Sequence, residues 1–353
     1  MTPYLTVDLE RIIKNYCAYS RAVGGKKIIA VVKADGYGLG AKKIAAALSI
    51  AGCNDLAVAT IEEGVLLRDC GYKGNILVLG MTPACEQDVI TEYDLIQTLV
   101  DREHADSFAA KNMKAAVKLN VGMNRFGLNA ADEKTCVCDI RMINEKLTIT
   151  DLYTHFPCAD RDDVQTVNQY ESFKRIINAT SDLGIKRIHC SASAAGVLHF
   201  DESPYTRLGI SLYGLTTRPD IPLLKEIKQA CSLFGKVCLV RRIKRGEKVG
   251  YGGVFTAKRD SVIAVINAGY ADGIPRQAAN LCDVFIRFSR ARIVAVCMDV
   301  CLVDATKVSG ISVGDDAEFF GDCIPVSEIS CKIGTIDYDI VTKIGDRVRR
   351  VYK

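Results

Sequence analysis

The chain has 353 residues, a formal net charge of +4 and a hydrophobic fraction of 49%. This composition supports a sizeable core and argues against disorder, and the length suits one large domain with a smaller second one. The mild charge forms no block of one sign, which excludes the usual signature of nucleic-acid binding. No apolar stretch reaches about 18 residues and the start is not signal-like, so we expect a cytoplasmic protein without a membrane segment.

The 15 cysteines and 4 histidines give no indication of a metal site. No C-x-x-C pair occurs, and the histidines are not spaced as zinc ligands are. Most of the cysteines lie in apolar runs, where a thiol behaves as a small hydrophobic side chain. We therefore predict mostly buried, reduced cysteines in a reducing compartment, and no bound metal.

Strand and helix patterns alternate through the first two-thirds of the chain. Eight runs are predicted as strands: Ile28–Lys33, Leu56–Ala59, Ile76–Gly80, Leu95–Val100, Ala116–Val121, Thr148–His155, Arg187–Ser191 and Arg207–Leu212. Helical patterns lie between them, for example at Glu62–Asp69, Ala131–Lys146 and Val164–Leu183. About eight such units close a (β/α)8 TIM-type barrel, which we predict for residues 1–227. A doubly wound open sheet is the alternative.

The pattern changes near residue 228, where short strands with glycine turns replace the alternation. The predicted strands are Val237–Ile243, Val262–Ala268, Cys282–Phe288, Ile293–Asp299 and Ala317–Phe320. Long helical patterns are missing from this part of the sequence. We predict a C-terminal mainly-β domain over residues 228–353, so that the whole chain is an α/β barrel followed by a β domain.

Lys33 directly follows the uncharged run Ile28–Val32, which is typical of a strand buried on both faces. The carboxyl ends of parallel strands are where α/β barrels hold their active sites. An amine at this position would be partly desolvated, which lowers its pKa and makes it a candidate for Schiff-base formation. On position alone, a surface lysine at a strand end is the alternative.

Polar side chains also follow other predicted barrel strands. They are Tyr37, Asn124, Arg125, His155 and Asp160, together with the run HCSASAAG and Arg207. Ser191, Ser193 and the backbone N–H groups near Gly209 could hold a phosphate, because barrel phosphate sites lie after the seventh and eighth strands. A lysine amine and a phosphate site on one barrel mouth indicate pyridoxal phosphate as the cofactor.

The chain resembles the alanine racemase family of fold-type III pyridoxal-phosphate enzymes over essentially its whole length. The resemblance rests on AVVKADGYGLG, KLNVGMNRFG, HCSASAAG, RLGISLYG, VGYGGVFTA, NAGYADGIPR, VCMD and GTIDYDIVTKIGDRV. It implies an isomerase that interconverts L- and D-alanine with pyridoxal 5'-phosphate and serves D-alanine biosynthesis. It also implies a homodimer whose active sites are shared, with the β domain contributing to the partner subunit's site.

The resemblance implies roles for individual residues. Lys33 would hold the cofactor and move the α-proton on one face, and Tyr251 of the other subunit would act on the opposite face. His155 would hydrogen-bond Tyr251. Arg207 would face the pyridine nitrogen, to which a guanidinium can only donate.

Further residues match the family's binding positions. Phosphate contacts would be Tyr37, Ser193, Gly209 and Ile210. Substrate contacts would be Arg125, Met298, Asp299 and Asp346. The corridor for substrate entry would include Asp160, Tyr270 and Arg276. Lys118 matches a lysine that is carbamylated in several relatives and orients the arginine at the Arg125 position.

Two positions depart from the family pattern. Asp346 stands where alanine racemases commonly carry a tyrosine near the phosphate, and Ala295 stands where a corridor arginine is expected. Phosphate would repel a carboxylate, so we expect Asp346 to pair with Arg347 or Arg349, or to face the substrate. Loss of the aromatic ring favours a larger or more polar pocket, which makes serine the alternative substrate.

Two other classes share parts of this pattern. Barrel-fold amino-acid decarboxylases also combine the barrel with a β domain, but they place a glutamate at the pyridine nitrogen, where this chain has Arg207. Pyridoxal-phosphate carrier proteins share the barrel and its lysine but lack the β domain.

Overall fold

The computed structural model of the protein describes residues 2–109, 112–161, 163–198, 200–216, 218, 220–221 and 226–353. The strands in chain order are β1 (Tyr4–Val7), β2 (Lys27–Val31), β3 (Asp55–Val58), β4 (Asn75–Val78), β5 (Ile96–Leu99), β6 (Lys114–Asn120), β7 (Leu128–Asn129), β8 (Thr148–Tyr153), β9 (Arg187–His189), β10 (Tyr205–Leu208), β11 (Cys231–Ile243), β12 (Lys248–Val249), β13 (Phe255–Thr256), β14 (Ser261–Ile266), β15 (Asp283–Ile286), β16 (Ser289–Val296), β17 (Cys301–Asp304), β18 (Asp316–Phe320) and β19 (Arg349–Tyr352). The α-helices are α1 (Leu9–Ala22), α2 (Ala41–Ile50), α3 (Ile61–Asp69), α4 (Gln87–Glu92), α5 (Arg102–Ser107), α6 (Glu133–Lys146), α7 (Asp163–Ala179), α8 (Ser193–Val197), α9 (Val326–Ile333) and α10 (Asp337–Val341). None of the described helices is long and apolar enough to cross a lipid bilayer.

Residues Ile12–Gly36 and Ala41–Lys228 form one compact unit. Its parallel strands pair in the order β2, β3, β4, β5, β6, β8, β9 and β10, and β10 pairs with β2, so the sheet closes on itself. Each of the eight predicted strands overlaps one of these barrel strands, which confirms the predicted (β/α)8 barrel and excludes the open sheet.

The barrel strands are short apolar runs with few exposed positions. All four residues of β3, β5 and β10 are buried, as expected where a closed parallel sheet is covered outside by helices and filled inside by side chains. The register places Lys118, Tyr153 and His189 next to one another on β6, β8 and β9. Polar side chains at this level of the barrel therefore face each other and need partners.

The second unit combines the amino-terminal residues through Arg11, Tyr37–Gly40 and Gln229–Lys353. Strands β14, β17, β16, β15, β18 and β11 pair in that order, and β11 also pairs with β14, so they close a six-stranded antiparallel barrel. The long strand β11 pairs with β18 through residues 233–236 and with β14 through residues 237–243, and its register with β14 shifts between Val237 and Leu239. This agrees with the predicted mainly-β domain.

Two features of this unit were not predicted. Strand β1 pairs with β11 and β19, so the first residues of the chain belong to the β unit although they precede the barrel in sequence. Helices α9 and α10, of eight and five residues, were not predicted either, although they are compatible with the predicted lack of long helices in this region. Helix α9 begins after Pro325 and ends at Gly334, whose φ of 73° is left-handed.

Candidate active site

Lys33 lies where β2 ends and the chain enters a left-handed turn. The strand ladder continues to Val32, whose N–H donates to the carbonyl of Ala57 at 2.8 Å. The next residues, Ala34, Asp35 and Gly36, have φ values of 53°, 50° and 64°. Outside glycine this conformation costs about 1–2 kcal/mol per residue, so surrounding contacts must hold the turn in place.

Hydrogen bonds stabilise this turn at each end. The N–H of Gly36 donates to Val32 O at 2.8 Å, and the N–H of Ala41 donates to the Asp35 carboxylate at 2.8 Å. The N–H of Ala34 donates to the carboxylate of Glu63 at 2.6 Å. The backbone that carries Lys33 is therefore fixed by contacts on both sides of the strained residues.

The environment of Lys33 favours its neutral amine. The side chain is half-buried, and burial lowers the pKa of its ammonium group. The nearby charges of Arg125 and Arg207 lower this pKa further, whereas Glu63 acts in the opposite direction. A neutral amine at the carboxyl end of a barrel strand can act as a nucleophile and as a base.

Arg207 is a buried cation on β10, the strand next to β2. Its terminal nitrogens donate to three backbone carbonyls, of Thr154 at 2.7 Å, Cys190 at 2.9 Å and His189 at 3.3 Å. They also contact Nδ1 of His189 at 2.5 Å and Nδ1 of His155 at 3.2 Å. Among the described residues, no partner is found for its Nε–H.

These contacts fix the tautomer of His189. A guanidinium has no lone pair, so Nδ1 of His189 must accept from Arg207, and the ring proton lies on Nε2. That Nε2–H donates to the carboxylate of Asp151 at 3.1 Å. Burial lowers the pKa of His189 to about 4, although Asp151 opposes the shift. His189 is thus a neutral bridge between a buried carboxylate and Arg207.

The chain of polar contacts continues across the barrel interior. Arg187 Nε donates to Asp151 at 3.0 Å, and its terminal nitrogen contacts Asp55. Asp55 lies on β3 and Arg187 on β9, with two strands between them, so this contact crosses the barrel. Asn75 donates to Asp55 at 2.8 Å. Asp151 remains ionised because the hydrogen bond from His189 and the charge of Arg187 outweigh burial, which alone would raise its pKa.

His155 and Lys118 complete the polar side of the mouth. Nδ1 of His155 accepts from Arg207, so its Nε2–H remains available as a donor. Burial and the nearby Arg207 hold the pKa of His155 well below its usual range. Burial, followed by the charges of Arg125, Arg207 and Lys33, lowers the pKa of Lys118 to about 8.

The charges of Arg125 and Arg207 act on both lysines of the mouth, Lys33 and Lys118, after burial has already disfavoured the charged amines. Arg125 is exposed, on the loop after β6, and it lowers the pKa of both lysines. Such an electropositive mouth is suited to an anionic ligand, whose binding would relieve the repulsion.

A serine hydroxyl and two backbone N–H groups lie close together after β9 and β10. The buried hydroxyl oxygen of Ser193, at the start of α8, accepts from the N–H groups of Gly209 at 3.2 Å and Ser211 at 3.4 Å. Ile210 lies between these two residues and starts a 3₁₀ turn. The structure therefore brings together three of the four predicted phosphate contacts. Tyr37 belongs to the other unit, where it is buried and burial raises its pKa to about 12.

Tyr251 is displayed on a glycine-rich turn of the β unit. Gly250, Gly252 and Gly253 around it have φ values of 79°, 68° and 63°, and the tyrosine is 81% exposed. A β-carbon at Gly250 would lie 2.7 Å from the β-carbon of Ala295, which is buried. The turn thus packs through its glycine and directs its one large side chain outward.

Arg347 connects two other segments of the β unit, which contain Asp272 and Asp299. It donates to the buried Asp272 at 2.7 and 3.0 Å and to Asp299 at 2.8 Å. The N–H of Ala271 donates to Met298 O at 3.0 Å. These contacts hold the segments that contain Tyr270, Met298 and Asp299 next to one another.

Asp346 does not pair with either neighbouring arginine, contrary to one of our two expectations. Arg347 is engaged by Asp272 and Asp299, and no ion pair of Asp346 is found in the described part of the chain. Asp346 is exposed. Of the predicted corridor residues, Arg276 is exposed, and the half-buried Asp160 has Arg161 Nε at 3.7 Å.

Both parts of the chain match one protein family. Residues 7–217 match the family model described as alanine racemase, N-terminal domain, and residues 230–352 match alanine racemase, C-terminal domain. The chain belongs to the alanine racemase family. This confirms the resemblance drawn from the motifs. Because the family consists of racemases, the chain is an isomerase of the amino-acid racemase type.

Individual alanine racemases are similar to this chain over nearly its whole length. That of Desulforamulus reducens is 35% identical over 365 residues, which covers 98% of this chain and 97% of the relative. The solved structure of alanine racemase from Clostridium difficile 630 has a TM-score of 0.93 at 29% identity and covers 100% of this chain and 96% of that one. The structure from Bartonella henselae, described with covalently bound pyridoxal phosphate, has a TM-score of 0.91 at 28% identity and covers 100% of both chains.

Four polar residues of this alanine racemase family member were not predicted from its sequence: Glu63, Asp151, Arg187 and His189, of which Asp151 and His189 are buried and the other two are half-buried. Arg187 and His189 are two positions apart on β9, and Asp151 is two positions before Tyr153 on β8. Side chains two positions apart lie on one face of a strand. Charged residues on the inward face of a predicted barrel strand must be paired, and this signal could have found them. Glu63 stands three residues after Thr60, the spacing of a helix capping box.

Proposed function

We propose that the chain is a pyridoxal-phosphate-dependent racemase that interconverts L- and D-alanine in the cytoplasm as a homodimer with shared active sites. The observation that carries the proposal is the barrel mouth. A half-buried lysine with a lowered pKa follows β2, a serine with two backbone donors follows β9, and a buried arginine lies on β10 between these two strands. All 15 cysteines are free, which is consistent with a reducing compartment. The prediction that most of them are buried is wrong, because six are buried and six are exposed.

The residues present fit pyridoxal phosphate at three points. Ser193, Gly209, Ile210 and Tyr37 are proposed to hold the phosphate, whose oxygens would replace the Ser193 hydroxyl as acceptor of the Gly209 N–H. The free Nε–H of Arg207 would donate to the ring nitrogen, since both terminal nitrogens of Arg207 are already engaged. Lys33 would bind the cofactor covalently. When bound, pyridoxal phosphate supplies an electron sink for the α-carbon of the substrate.

Racemisation needs a proton to leave one face of the α-carbon and another to arrive on the opposite face. Lys33 is proposed to serve one face, because burial favours its neutral amine. Tyr251 of a second copy is proposed to serve the other, because it is exposed on its own chain. The free Nε2–H of His155 would donate to the phenolate oxygen. Hydrogen-bond donors and nearby cations stabilise a phenolate.

The substrate carboxylate is proposed to meet Arg125 and the backbone at Met298 and Asp299. Lys118 is proposed to orient Arg125 after carbamylation. With its pKa near 8, part of the Lys118 amine is neutral at pH 7, and a neutral amine can attack carbon dioxide and release one proton. The resulting carbamate carries a negative charge that would pair with the guanidinium of Arg125. Tyr270 and Arg276 of a second copy, together with Asp160, are proposed to line the corridor.

The experiment that tests the proposal follows both enantiomers of alanine by chiral chromatography in the presence of pyridoxal phosphate. The native chain should interconvert them, and Lys33→Ala should abolish the reaction. Lys42→Ala, at an exposed position of α2, is the matched control and should retain it. Retention of racemisation by Lys33→Ala would contradict the proposal. Cofactor binding without turnover would indicate a carrier, and carbon dioxide release would indicate a decarboxylase.

Serine is a second candidate substrate, and Asp346 is the observation that favours it. Its carboxylate is exposed and no ion pair is described for it, so it could accept a hydrogen bond from a substrate hydroxyl. We expect Asp346→Tyr to lower the serine-to-alanine ratio of kcat/KM by about tenfold. Asp346→Asn separates charge from size. An unchanged ratio in both variants would exclude this role.

A further inference from the structure

Glu63 contacts the backbone at the ends of two neighbouring strands, one of which leads into the proposed cofactor lysine. One carboxylate oxygen accepts from the N–H of Ala34 and the other from the N–H of Ala59, each at 2.6 Å. We infer that Glu63 is a positioning residue for racemisation, whose carboxylate fixes the backbone from which the Lys33 amine projects. The inference rests on the proposed function, in which Lys33 is the reacting amine.

The position of Glu63 on its helix shows that its side chain does more than cap that helix. Thr60 caps α3, and its hydroxyl accepts from the N–H of Glu63 at 3.4 Å. In a capping box the glutamate at this spacing bonds the N–H of the capping residue itself. Here one oxygen bonds Ala59, a residue earlier, and the other crosses to the loop after β2. The carboxylate thereby ties the ends of two neighbouring strands together.

This contact is made where the backbone most needs support. Ala34 is the first left-handed residue after Lys33, and neither it nor Asp35 has the freedom of glycine. Other contacts stabilise the later part of the turn, through Gly36 and Asp35. Among the described side chains, that of Glu63 is the one that binds the N–H of Ala34. Without it, the turn could relax toward right-handed conformations and redirect the Lys33 side chain.

The charge of Glu63 has a second effect on the same amine. Burial and the cations Arg125 and Arg207 lower the pKa of Lys33, and Glu63 opposes them. Charge-assisted hydrogen bonds to backbone N–H groups are stronger than neutral ones, which keeps the carboxylate in place beside the amine. Glu63 therefore acts on Lys33 in two separable ways, through geometry and through charge.

Glu63→Gln removes both effects. Glutamine has one acceptor oxygen and an NH₂ group, so it can satisfy one of the two backbone N–H groups and must oppose the other with a donor. We would measure the rate of Lys33 acetylation against pH in the cofactor-free full chain, by mass spectrometry. The midpoint should move to lower pH. Covalent attachment of pyridoxal phosphate should slow, and kcat should fall by about tenfold or more with little change in KM.

Two variants separate charge from geometry. Glu62→Gln makes the same charge change at an exposed position of the same helix and should leave the acetylation midpoint and the attachment rate unchanged. Glu63→Asp keeps the charge but is one methylene shorter, so it cannot span both N–H groups. It should keep the midpoint near that of the native chain while attachment slows and kcat falls.

The inference is overturned if Glu63→Gln lowers only the thermal unfolding midpoint, because Glu63 would then be a helix cap alone. If that variant does not fold, a folded Glu63→Asp chain with native attachment and kcat overturns it equally. Failure of the native chain to attach pyridoxal phosphate at Lys33 would instead refute the proposed function. The acetylation midpoints would still report whether Glu63 acts on the Lys33 amine.

Discussion

The two units of the chain hold their functional residues in opposite ways. In the barrel, Arg207, His189 and Asp151 are buried and linked to one another by hydrogen bonds. In the β unit, Tyr251 is 81% exposed and Met298 is 52% exposed. Buried polar groups must find partners within their own fold, whereas an exposed aromatic on a glycine turn has no such requirement. Contacts within the barrel therefore account for the positions of its functional residues, whereas contacts within the β unit do not account for the exposed Tyr251.

The difference indicates where the partner of Tyr251 must be sought. Three glycines with positive φ shape a turn that holds one tyrosine away from its own unit. A turn that packs on its own unit through Gly250 and exposes an aromatic ring suggests a surface that another molecule completes. A second copy of the chain, presenting a cationic barrel mouth, supplies a suitable environment for a phenol that must lose a proton.

Mixing two inactive variants would test this comparison with the largest expected effect. Lys33→Ala and Tyr251→Phe should each lose nearly all racemase activity, because each removes one of the two bases. If sites are shared between copies, a mixed dimer contains one site with both native residues. Random exchange of equal amounts should then restore about a quarter of native activity, measured by racemisation after mixing.

The control for this experiment is a mixture of Lys33→Ala with Arg207→Ala. Both changes lie in the barrel, so neither barrel of the mixed dimer holds both Lys33 and Arg207, whichever copy supplies Tyr251. If the mixture of Lys33→Ala with Tyr251→Phe is active and the mixture with Arg207→Ala is not, the second copy supplies the tyrosine of each active site. No recovery in either mixture would contradict shared sites.

Asp151→Asn would test whether the barrel network matters at a distance from the mouth. An asparagine can turn its NH₂ group toward His189, which would move the ring proton to Nδ1 and oppose the donors of Arg207. We expect kcat to fall by about tenfold to a hundredfold, as displaced catalytic groups commonly do. Asp139→Asn, in a surface ion pair with Arg102, is the control. Equal kcat values would mean that Arg207 is held without His189.

Repeating strand patterns and strand-end residues were sufficient to predict the barrel and many of its polar groups. The eight predicted strands agree with the structure because closed parallel strands are continuous apolar runs. The place of β1 was not predictable, since its pairing with β11 joins residues more than two hundred positions apart. His189 was missed because its partners Asp151 and Arg207 lie on other strands, and Glu63 because one N–H that it binds belongs to the loop after β2. Spacing in one segment does not reveal such contacts.

Lys118→Met would test how much stability the barrel loses by enclosing a cation. The pKa of Lys118 is about 8, below the roughly 10.4 of a free lysine. Below pH 8 both states are protonated, and burial of the charge opposes folding. Between these values the unfolded state holds a proton that the folded state has released, so stability rises with pH. Methionine should therefore add about 3 kcal/mol at pH 7 and little above pH 10.5.

Urea unfolding of the cofactor-free protein, free of carbon dioxide, would measure this difference at both pH values. Lys42→Met, on the exposed face of α2, should change stability little at either pH. An equal gain from Lys118→Met at both pH values would show that packing, not charge, is responsible.

The smallest expected effect is on the stability of two turns, each of which holds non-glycine residues at positive φ. The hairpin between β15 and β16 holds Arg287 and Phe288 at φ values of 44° and 63°, and Phe288 is 95% exposed. Such two-residue turns favour glycine at the second position. Phe288→Gly should raise the free energy of unfolding by about 0.5–1 kcal/mol, since relief of strain exceeds the added entropy of the unfolded chain. Racemase activity should not change.

Ala34→Gly makes the matching substitution in the turn after Lys33. The same relief of strain should give a similar or smaller gain in thermal stability, but kcat should fall because the chain leaving the lysine becomes freer. The two variants together ask whether strain in a left-handed turn has a function or is only tolerated. If Ala34→Gly keeps native kcat, the left-handed turn does not direct the Lys33 amine, and strain in the barrel means no more than strain in the hairpin.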